Sequence, residues 1–584
     1  MNAINPQAPV ATLVWQNRYA AEGEPDVAAG IRRLALALAH PETHHRDQWR
    51  ERFEQVLQQH RFLPGGRIWA GAGSMRATTL FNCFAGATLP DSLDGIFSAL
   101  GEAAVTLQAG GGLGCDFSTL RPAGSLAVRT GNVAGGPPAF LPAWDAAAGA
   151  LRQRGGRGAA MLGALRCDHP DIEAFIEAKR AGGLTHFNLS VLVSDAFMVA
   201  VERDEPWQLV FPLDGRVPKP DAQLCLREWA GYAAAQPCVV LCTVPARALW
   251  QRLLRAAYDS GEPGVIFIDH VQRANNLHYA ERPWTCNPCG EVPLPPHGAC
   301  NLGSLNLPAF VLHPFQAHAQ LDLASLAEAV TVATRMLDNV YEVSYFPLRS
   351  QRHVARESRR LGLGMTGLAS AMAMLGLRYD SEAALALADV ALRTICHAAY
   401  RASIALARER GAFPAYRVAP YLQAQFIQSL PAEIIAEIAR HGIRNSHLMA
   451  LAPAGAISLL AGNVSCGIEP IRQLEGARQL RLEDGSYSRV DVEDYALLTY
   501  RTLRGRDAKP PAALAEAVNV DPARQLEMVA RLQAHVDQGI SHTLNLAAHT
   551  TFEQFEPLFA RAWRFGLKGC TAYRTGARMR NGSD

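Results

Sequence analysis

The sequence predicts an α/β protein, and three observations carry that prediction. Short apolar runs of strand length, such as 189–193 and 264–268, alternate with longer amphipathic stretches such as 246–258. Parallel strands joined by crossover helices produce that alternation. Glycine-rich turns punctuate it at 71–73, 110–114 and 155–158, where the chain must reverse or approach a neighbour closely. The composition, 49% hydrophobic and 19% charged over 584 residues, supplies a large core.

Taken in order, residues 1–60 read as a small N-terminal helical region. Val27, Ile31, Leu34 and Leu38 recur at helical spacing, as do Trp49, Phe53, Val56 and Leu57. From Phe62 the texture changes, and 61–584 reads as one catalytic domain without repeats or low-complexity linkers. Residues 170–180 begin with proline and acids and end with bases, the polarity a helix favours. Buried strands are expected at 189–193 and 264–268, and helices at 246–258, 323–341 and 382–410. The polar stretch 478–519 reads as irregular surface structure.

A formal charge of +2 gives no footprint for nucleic-acid binding. The first sixteen residues lack a secretory pattern, and no uninterrupted apolar run is long enough to span a bilayer. A cytoplasmic protein with most of its 12 cysteines reduced is therefore expected. For Cys225, Cys238, Cys242 and Cys396 the expected role is that of a small buried apolar residue.

The most informative stretch is Asn287-Pro288-Cys289-Gly290-Glu291, followed by Cys300 within Ala299-Cys300-Asn301-Leu302-Gly303-Ser304. Pro293, Pro295 and Pro296 exclude a helix interior or a central strand, which leaves a constrained loop. If that loop is extended, Cys289 and Glu291 point to the same side. A thiol, a carboxylate and an amide together suit redox or radical chemistry on a polar substrate. Cys286 and Cys289 form a C-x-x-C with His297 and Cys300 nearby, but no second C-x-x-C exists. No metal site is therefore expected. Nor does the pair precede a helix, as a thioredoxin-like dithiol would.

Three further segments carry weaker signals. Cys83, in Phe81-Asn82-Cys83-Phe84, would by itself be core. Gly110, Gly111 and Gly112 let a ligand approach the main chain. Residues 451–458 are either an ordinary Pro-Gly turn or a phosphate site, if a helix begins there and offers its free N–H groups.

In this order and spacing, these segments resemble ribonucleotide reductase large subunits, most closely the adenosylcobalamin-dependent class II enzymes. Supporting strings are Gly110-Gly111-Gly112-Leu113-Gly114-Cys115-Asp116-Phe117-Ser118, Arg166-Cys167-Asp168-His169-Pro170, Leu361-Gly362-Leu363-Gly364-Met365 and Lys568-Gly569-Cys570-Thr571-Ala572-Tyr573. The resemblance implies a ten-stranded α/β barrel with a finger loop that carries Cys289 into its centre. It implies reduction of ribonucleotides, as diphosphates, to 2′-deoxyribonucleotides. Cys289 would be the thiyl-radical residue and Glu291 the general base. Asn287 would hold the ribose hydroxyls, and Cys83 with Cys300 would be the dithiol that becomes a disulfide. Substrate contacts are expected from Asn82, Gly112, Pro288, Gly290, Pro453, Ala454, Gly455, Ala456, Ile457 and Ser458. Effector contacts are expected from Asp91, Ser92, Arg154 and Arg157, which implies deoxynucleoside triphosphate control at a homodimer interface.

A tandem tyrosine near residue 573 and a glycyl-radical motif in 577–584 are both absent, which points to adenosylcobalamin as the radical source. A glycyl-radical-type lyase, or a catalytically impaired paralogue with a regulatory role, is the alternative. Two departures from the family pattern stand out. Ala454 and Ala456 replace hydroxyl residues, and Gly65-Gly66-Arg67-Ile68 replaces an Asn-Ser-Pro-Thr. Cys570 is the last cysteine, so no Cys-x-x-Cys tail follows it. A thioredoxin-like reductant is expected to act through a separate protein, or a tail lost from this chain, carrying such a pair, with direct entry of a small thiol as the alternative.

Overall fold

The computed structural model describes residues 9–126, 131–151, 159–180, 182–215, 217–482 and 486–577. Three helices, Pro9–Arg18, Val27–Ala39 and Arg46–Gln58, precede the first strand. The second starts where the Asp26 carboxylate accepts from the Ala29 N–H at 2.8 Å, and it buries Ile31, Leu34 and Leu38. This region is tied to the rest by Glu42, which is fully buried. Its carboxylate pairs with Arg335 at 2.7 Å and Arg410 at 2.6 Å, and accepts from Asn339 at 2.7 Å. Arg335 and Asn339 lie on the helix Leu323–Val343, and Arg410 ends the helix Glu382–Arg410. That last helix is long and apolar enough to cross a membrane, but half of it is buried and it packs along Leu323–Val343.

The strands Cys83–Ala85, Gly112–Asp116, Met161–Arg166, Phe187–Val193 and Gly264–Phe267 pair in parallel in that order. Gly569–Arg574 joins antiparallel to Gly264–Phe267, and Thr543–Leu546 lies parallel beside it. At the other edge Ala299–Asn306 runs antiparallel to Cys83–Ala85 and parallel to Leu361–Thr366. Pairing continues beyond both edges. Leu363 bridges Met449, and Leu451 bridges Ile540 just before Thr543–Leu546. The hydrogen-bonded path thus returns to its start, with ten segments around it once 449–451 is included. This is the mixed, mainly parallel α/β architecture expected from the alternation of strands and helices.

A hairpin sits inside this ring. Thr285–Cys286 pairs antiparallel with Pro293–Leu294, and 287–292 form its tip. On one side the tip presses on the strand Gly112–Asp116. A Cβ on Gly114 would lie 1.7 Å from the Cys286 carbonyl, so only glycine permits this approach. On the other side Gly539 N–H donates to the Glu291 carbonyl at 2.8 Å. Those two contacts are five places apart around the ring, so the hairpin threads its centre.

Several local expectations need correction. The helix expected over 170–180 is only Ile172–Glu177, and the strand expected to reach residue 268 ends at Phe267, where Ile268–Arg273 turns helical. The polar stretch is regular in part, with a hairpin of Glu475–Arg481 and Tyr487–Glu493 and a helix Tyr495–Arg504. A two-stranded ribbon open to solvent needs few apolar residues, which hid it. Cys238 and Cys396 are buried as expected, whereas Cys225 is half-buried and Cys242 is exposed on the outer sheet formed by Pro206–Pro212, Leu224–Arg227 and Gln236–Pro245.

Candidate active site

The finger tip is a turn rather than an extended loop. Gly290 has φ +87°, and its N–H donates to the Asn287 carbonyl at 3.0 Å. The Asn287 side-chain oxygen accepts from the Val292 N–H at 2.9 Å and so fixes the amide. Cys289 is exposed at the tip, while Glu291 is 1% exposed. Both nevertheless line one cavity, together with Asn82, Cys83, Asn287, Pro288, Gly112 and the loop 452–457.

Within this cavity the polar groups are mutually engaged. The Asn287 amide donates to Cys83 Sγ at 3.2 Å, and the Cys83 thiol lies 3.8 Å from Glu291 Oε1 as its donor. Burial raises the Glu291 carboxyl to about 7, against the pull of the Asn287 and Cys83 hydrogen bonds. It therefore titrates near neutral pH. Two buried acceptors aimed here, Glu291 Oε2 and Asn82 Oδ1, have no hydrogen-bond partner among the described residues. Orphans of this kind are uncommon, and hydroxyl donors of a bound ligand would satisfy them.

Cys83 and Cys300 stand directly opposite in the antiparallel register. Opposed Cα atoms in such ladders lie about 4.5–5.5 Å apart, within the about 4.4–6.8 Å that a disulfide requires. Both sulfurs belong to a buried cluster with Val292 and Leu294 of the finger, so they face the interior of the ring. Burial first, and the neighbouring Glu291 second, hold both groups well above the usual thiol range, as protonated thiols.

A second, larger cavity opens on the other side of the finger. Pro288, Cys289 and Pro453 line both cavities, so one thiol faces two spaces. The second space is bounded by the strand segments 188–190, 264–266 and 569–573 and by His542, Glu469 and Lys568. Burial lowers the His542 imidazole to about 4, and both its ring nitrogens are sealed from solvent without a partner among the described residues. Lys568, lowered to about 7 by burial, donates to the carbonyls of Asp537 at 2.8 Å and of Gln538.

The family model for the ribonucleotide reductase barrel domain matches residues 81–573, and that for the all-alpha domain matches 7–77. This chain belongs to the ribonucleotide reductase family. It is 37% identical over 551 residues to a vitamin B12-dependent ribonucleoside-diphosphate reductase of Mycobacterium tuberculosis, covering 91% of this chain and 72% of that one. A reductase of the same description from Thermoplasma acidophilum is 31% identical, over 90% of this chain and 65% of its own. A ribonucleoside-diphosphate reductase subunit alpha of Chlamydia pneumoniae is 26% identical, over 92% and 56%.

Not every residue expected in the reductase site reaches it. Pro453, Ala454, Gly455, Ala456 and Ile457 line the first cavity, and Gly290 lines only the second. Ser458 lines neither. It is buried, with its hydroxyl turned back to the carbonyls of Ala454 and Gly455 at 3.0 Å. Asp91 and Ser92 are already engaged. The Asp91 carboxylate accepts from the Arg121 main chain at 3.0 Å and its guanidinium at 2.8 Å, and Ser92 caps the helix Leu93–Gln108. Arg154 and Arg157 lie outside the described residues. Tyr19 and Arg67 in the first cavity, and His542 and Lys568 in the second, were not anticipated. For Arg67 the signal was present, as the break from the family pattern at 65–68.

Proposed function

We propose that this chain reduces ribonucleoside diphosphates to 2′-deoxyribonucleoside diphosphates by a thiyl-radical mechanism with adenosylcobalamin. One observation carries the reading. Cys289 stands in the wall between a cavity lined by the base Glu291 and by Cys83, which is opposed to Cys300, and a second, larger cavity. The larger space suits a bulky cofactor, and the His542 imidazole in its wall lacks a hydrogen-bond partner among the described residues. Pro288, Cys289, Gly290, His542 and Lys568 would form its walls. Adenosylcobalamin, when bound there, supplies the radical chemistry that removes a hydrogen atom from the Cys289 thiol.

The chain's own residues do the rest. The Cys289 thiyl takes the 3′-hydrogen of the ribose. Glu291, poised near neutrality, takes the 3′-hydroxyl proton. Asn287 and the Asn82 carbonyl oxygen hold the hydroxyls. The 2′-hydroxyl leaves as water, and Cys83 with Cys300 supply two electrons and two protons to close as a disulfide. Cys289 then returns the hydrogen to C3′ and Glu291 returns its proton to the 3′-oxygen, which regenerates the thiyl. A glycyl-radical lyase would leave this opposed cysteine pair without a role.

The finer assignments belong to the same proposal. Leu93, Phe97, Gly101 and Val105 form an exposed stripe at four-residue spacing on the helix Leu93–Gln108, suited to a homodimer. Deoxynucleoside triphosphate effectors would bind where Asp91 and Ser92 open that helix, and a thioredoxin-like dithiol would restore the Cys83–Cys300 pair in the cytoplasm. The test is direct. The chain is incubated with adenosylcobalamin, dithiothreitol and each ribonucleoside diphosphate. Deoxyribonucleotide formation is expected, and its absence with every substrate would remove the reading.

A further inference from the structure

We propose that Arg67 is the cation that receives the substrate's phosphate groups, an assignment that rests on reading the first cavity as the ribonucleotide site. The argument begins with what the phosphate loop lacks. Ala454 and Ala456 offer no hydroxyl, and the Ser458 hydroxyl is turned back onto its own loop. Only main-chain N–H groups remain there to meet a strongly charged diphosphate. Taking such an anion from water is costly unless a counter-charge meets it.

Among the described residues that line this cavity, the ionisable side chains are Tyr19, Arg67, Cys83, Cys289 and Glu291. Arg67 is the one that carries a positive charge. Its planar fork matches phosphate oxygens in pairs, which a point charge does not. Position supports the role. Gly110 has φ +102°, and a Cβ there would meet Arg67 Nη1 at 3.1 Å and Cζ at 3.2 Å. A glycine thus makes room for the guanidinium at the cavity wall. A Cβ on the neighbouring Gly66 would meet the Tyr19 hydroxyl at 3.2 Å. Tyr19 follows the helix Pro9–Arg18, which packs against the helix Gly455–Leu460 that the phosphate loop enters. The Gly65-Gly66-Arg67 segment and the loop 453–457 are joined through that helix. Glu291, which would repel the phosphates, is on the finger. The substrate is thereby oriented, ribose to the finger and phosphates to Arg67. The donors that Ala454 and Ala456 do not offer are replaced by a guanidinium on a different segment.

A supporting role for Arg67, propping Gly110, predicts something different, and equilibrium binding separates the two. Each of the four ribonucleoside diphosphates and its matching nucleoside is titrated calorimetrically into the full chain and into Arg67→Gln, Arg67→Met and Arg67→Lys. The two neutral variants serve as alternates should one fail to fold. Diphosphate affinity is expected to fall about 10- to 100-fold in either neutral variant. Nucleoside affinity should stay unchanged, and the lysine variant should recover part of the loss. Equal losses for diphosphate and nucleoside, or no loss for either, would overturn the assignment while leaving the cavity a nucleotide site. A wild-type chain that binds diphosphates no better than nucleosides would overturn it as well. If the wild type binds neither ligand, the reading of the cavity falls and Arg67 with it.

Discussion

Replacing Glu291 by glutamine should make the protein more stable at alkaline pH while abolishing turnover. Burial raises this carboxyl from an ordinary value of 4.5 to about 7. Between those values the unfolded chain has released the proton and the native chain retains it. The unfolded state therefore binds fewer protons, and stability falls as pH rises through this window, levelling off above 7. At about 1.4 kcal/mol per unit, the full effect is about 3 kcal/mol. Glutamine keeps the shape and does not titrate. With an unfolding entropy of roughly 2.1 cal/mol/K per residue, 3 kcal/mol is about 2–3 °C in Tm for a chain of this size. Scanning calorimetry of both proteins at pH 4.5 and pH 8 reads the difference, since every other titrating group cancels between them. The Tm of Glu291→Gln relative to wild type should rise by that amount between the two pH values. A gap that stays constant with pH would show that this carboxyl is not held protonated. In the wild type, the reaction should accelerate as pH rises through about 7, because the base acts in its ionised form.

A single turnover without added thiol should leave one disulfide, joining Cys83 to Cys300, and peptide mapping after alkylation checks it. A disulfide that includes Cys289 or Cys286 instead would displace the proposed pair. Changing His542 to phenylalanine should weaken cobalamin binding about tenfold, followed by its absorption spectrum, and leave diphosphate binding intact. Unaltered cobalamin affinity would remove His542 from the cofactor's contacts. Phe97→Glu should convert a homodimer to monomer in sedimentation by placing a charge in the stripe of Leu93, Phe97 and Val105. A variant that stays dimeric would move the interface elsewhere.

The parts of the site that sequence made legible are the local ones. Proline, cysteine, glycine and glutamate within 287–296 announce a constrained reactive loop, and the structure makes its tip a turn. Gly290 at positive φ makes a turn, and Glu291 is buried where an extended loop would set it beside Cys289. Cys83 and Cys300 are far apart in the chain and became a pair only through resemblance, since nothing local reveals strand register. Ser458 was expected to meet phosphate, but its short side chain bonds to its own backbone, a competition that sequence does not display. His542 sits in no string that the resemblance uses, Lys568 opens one without a role assigned to it, and only the closing of the ring brings both behind Cys289. The alternation of strands and helices conveyed the architecture because apolar periodicity follows burial. It missed the hairpin at 475–493, where one face meets water and the periodic signal is weak.

The central claim is that Cys289 connects the two cavities chemically, and one variant tests it most directly. Cys289→Ser should bind both a ribonucleoside diphosphate and adenosylcobalamin with wild-type affinity, since the serine preserves both walls. Under anaerobic conditions, with both ligands and dithiothreitol present, it should yield no deoxyribonucleotide and no cleavage of the cofactor's carbon–cobalt bond. A hydroxyl hydrogen is far harder to abstract than a thiol hydrogen. Measurable deoxyribonucleotide from Cys289→Ser would contradict the account and place the radical on another residue.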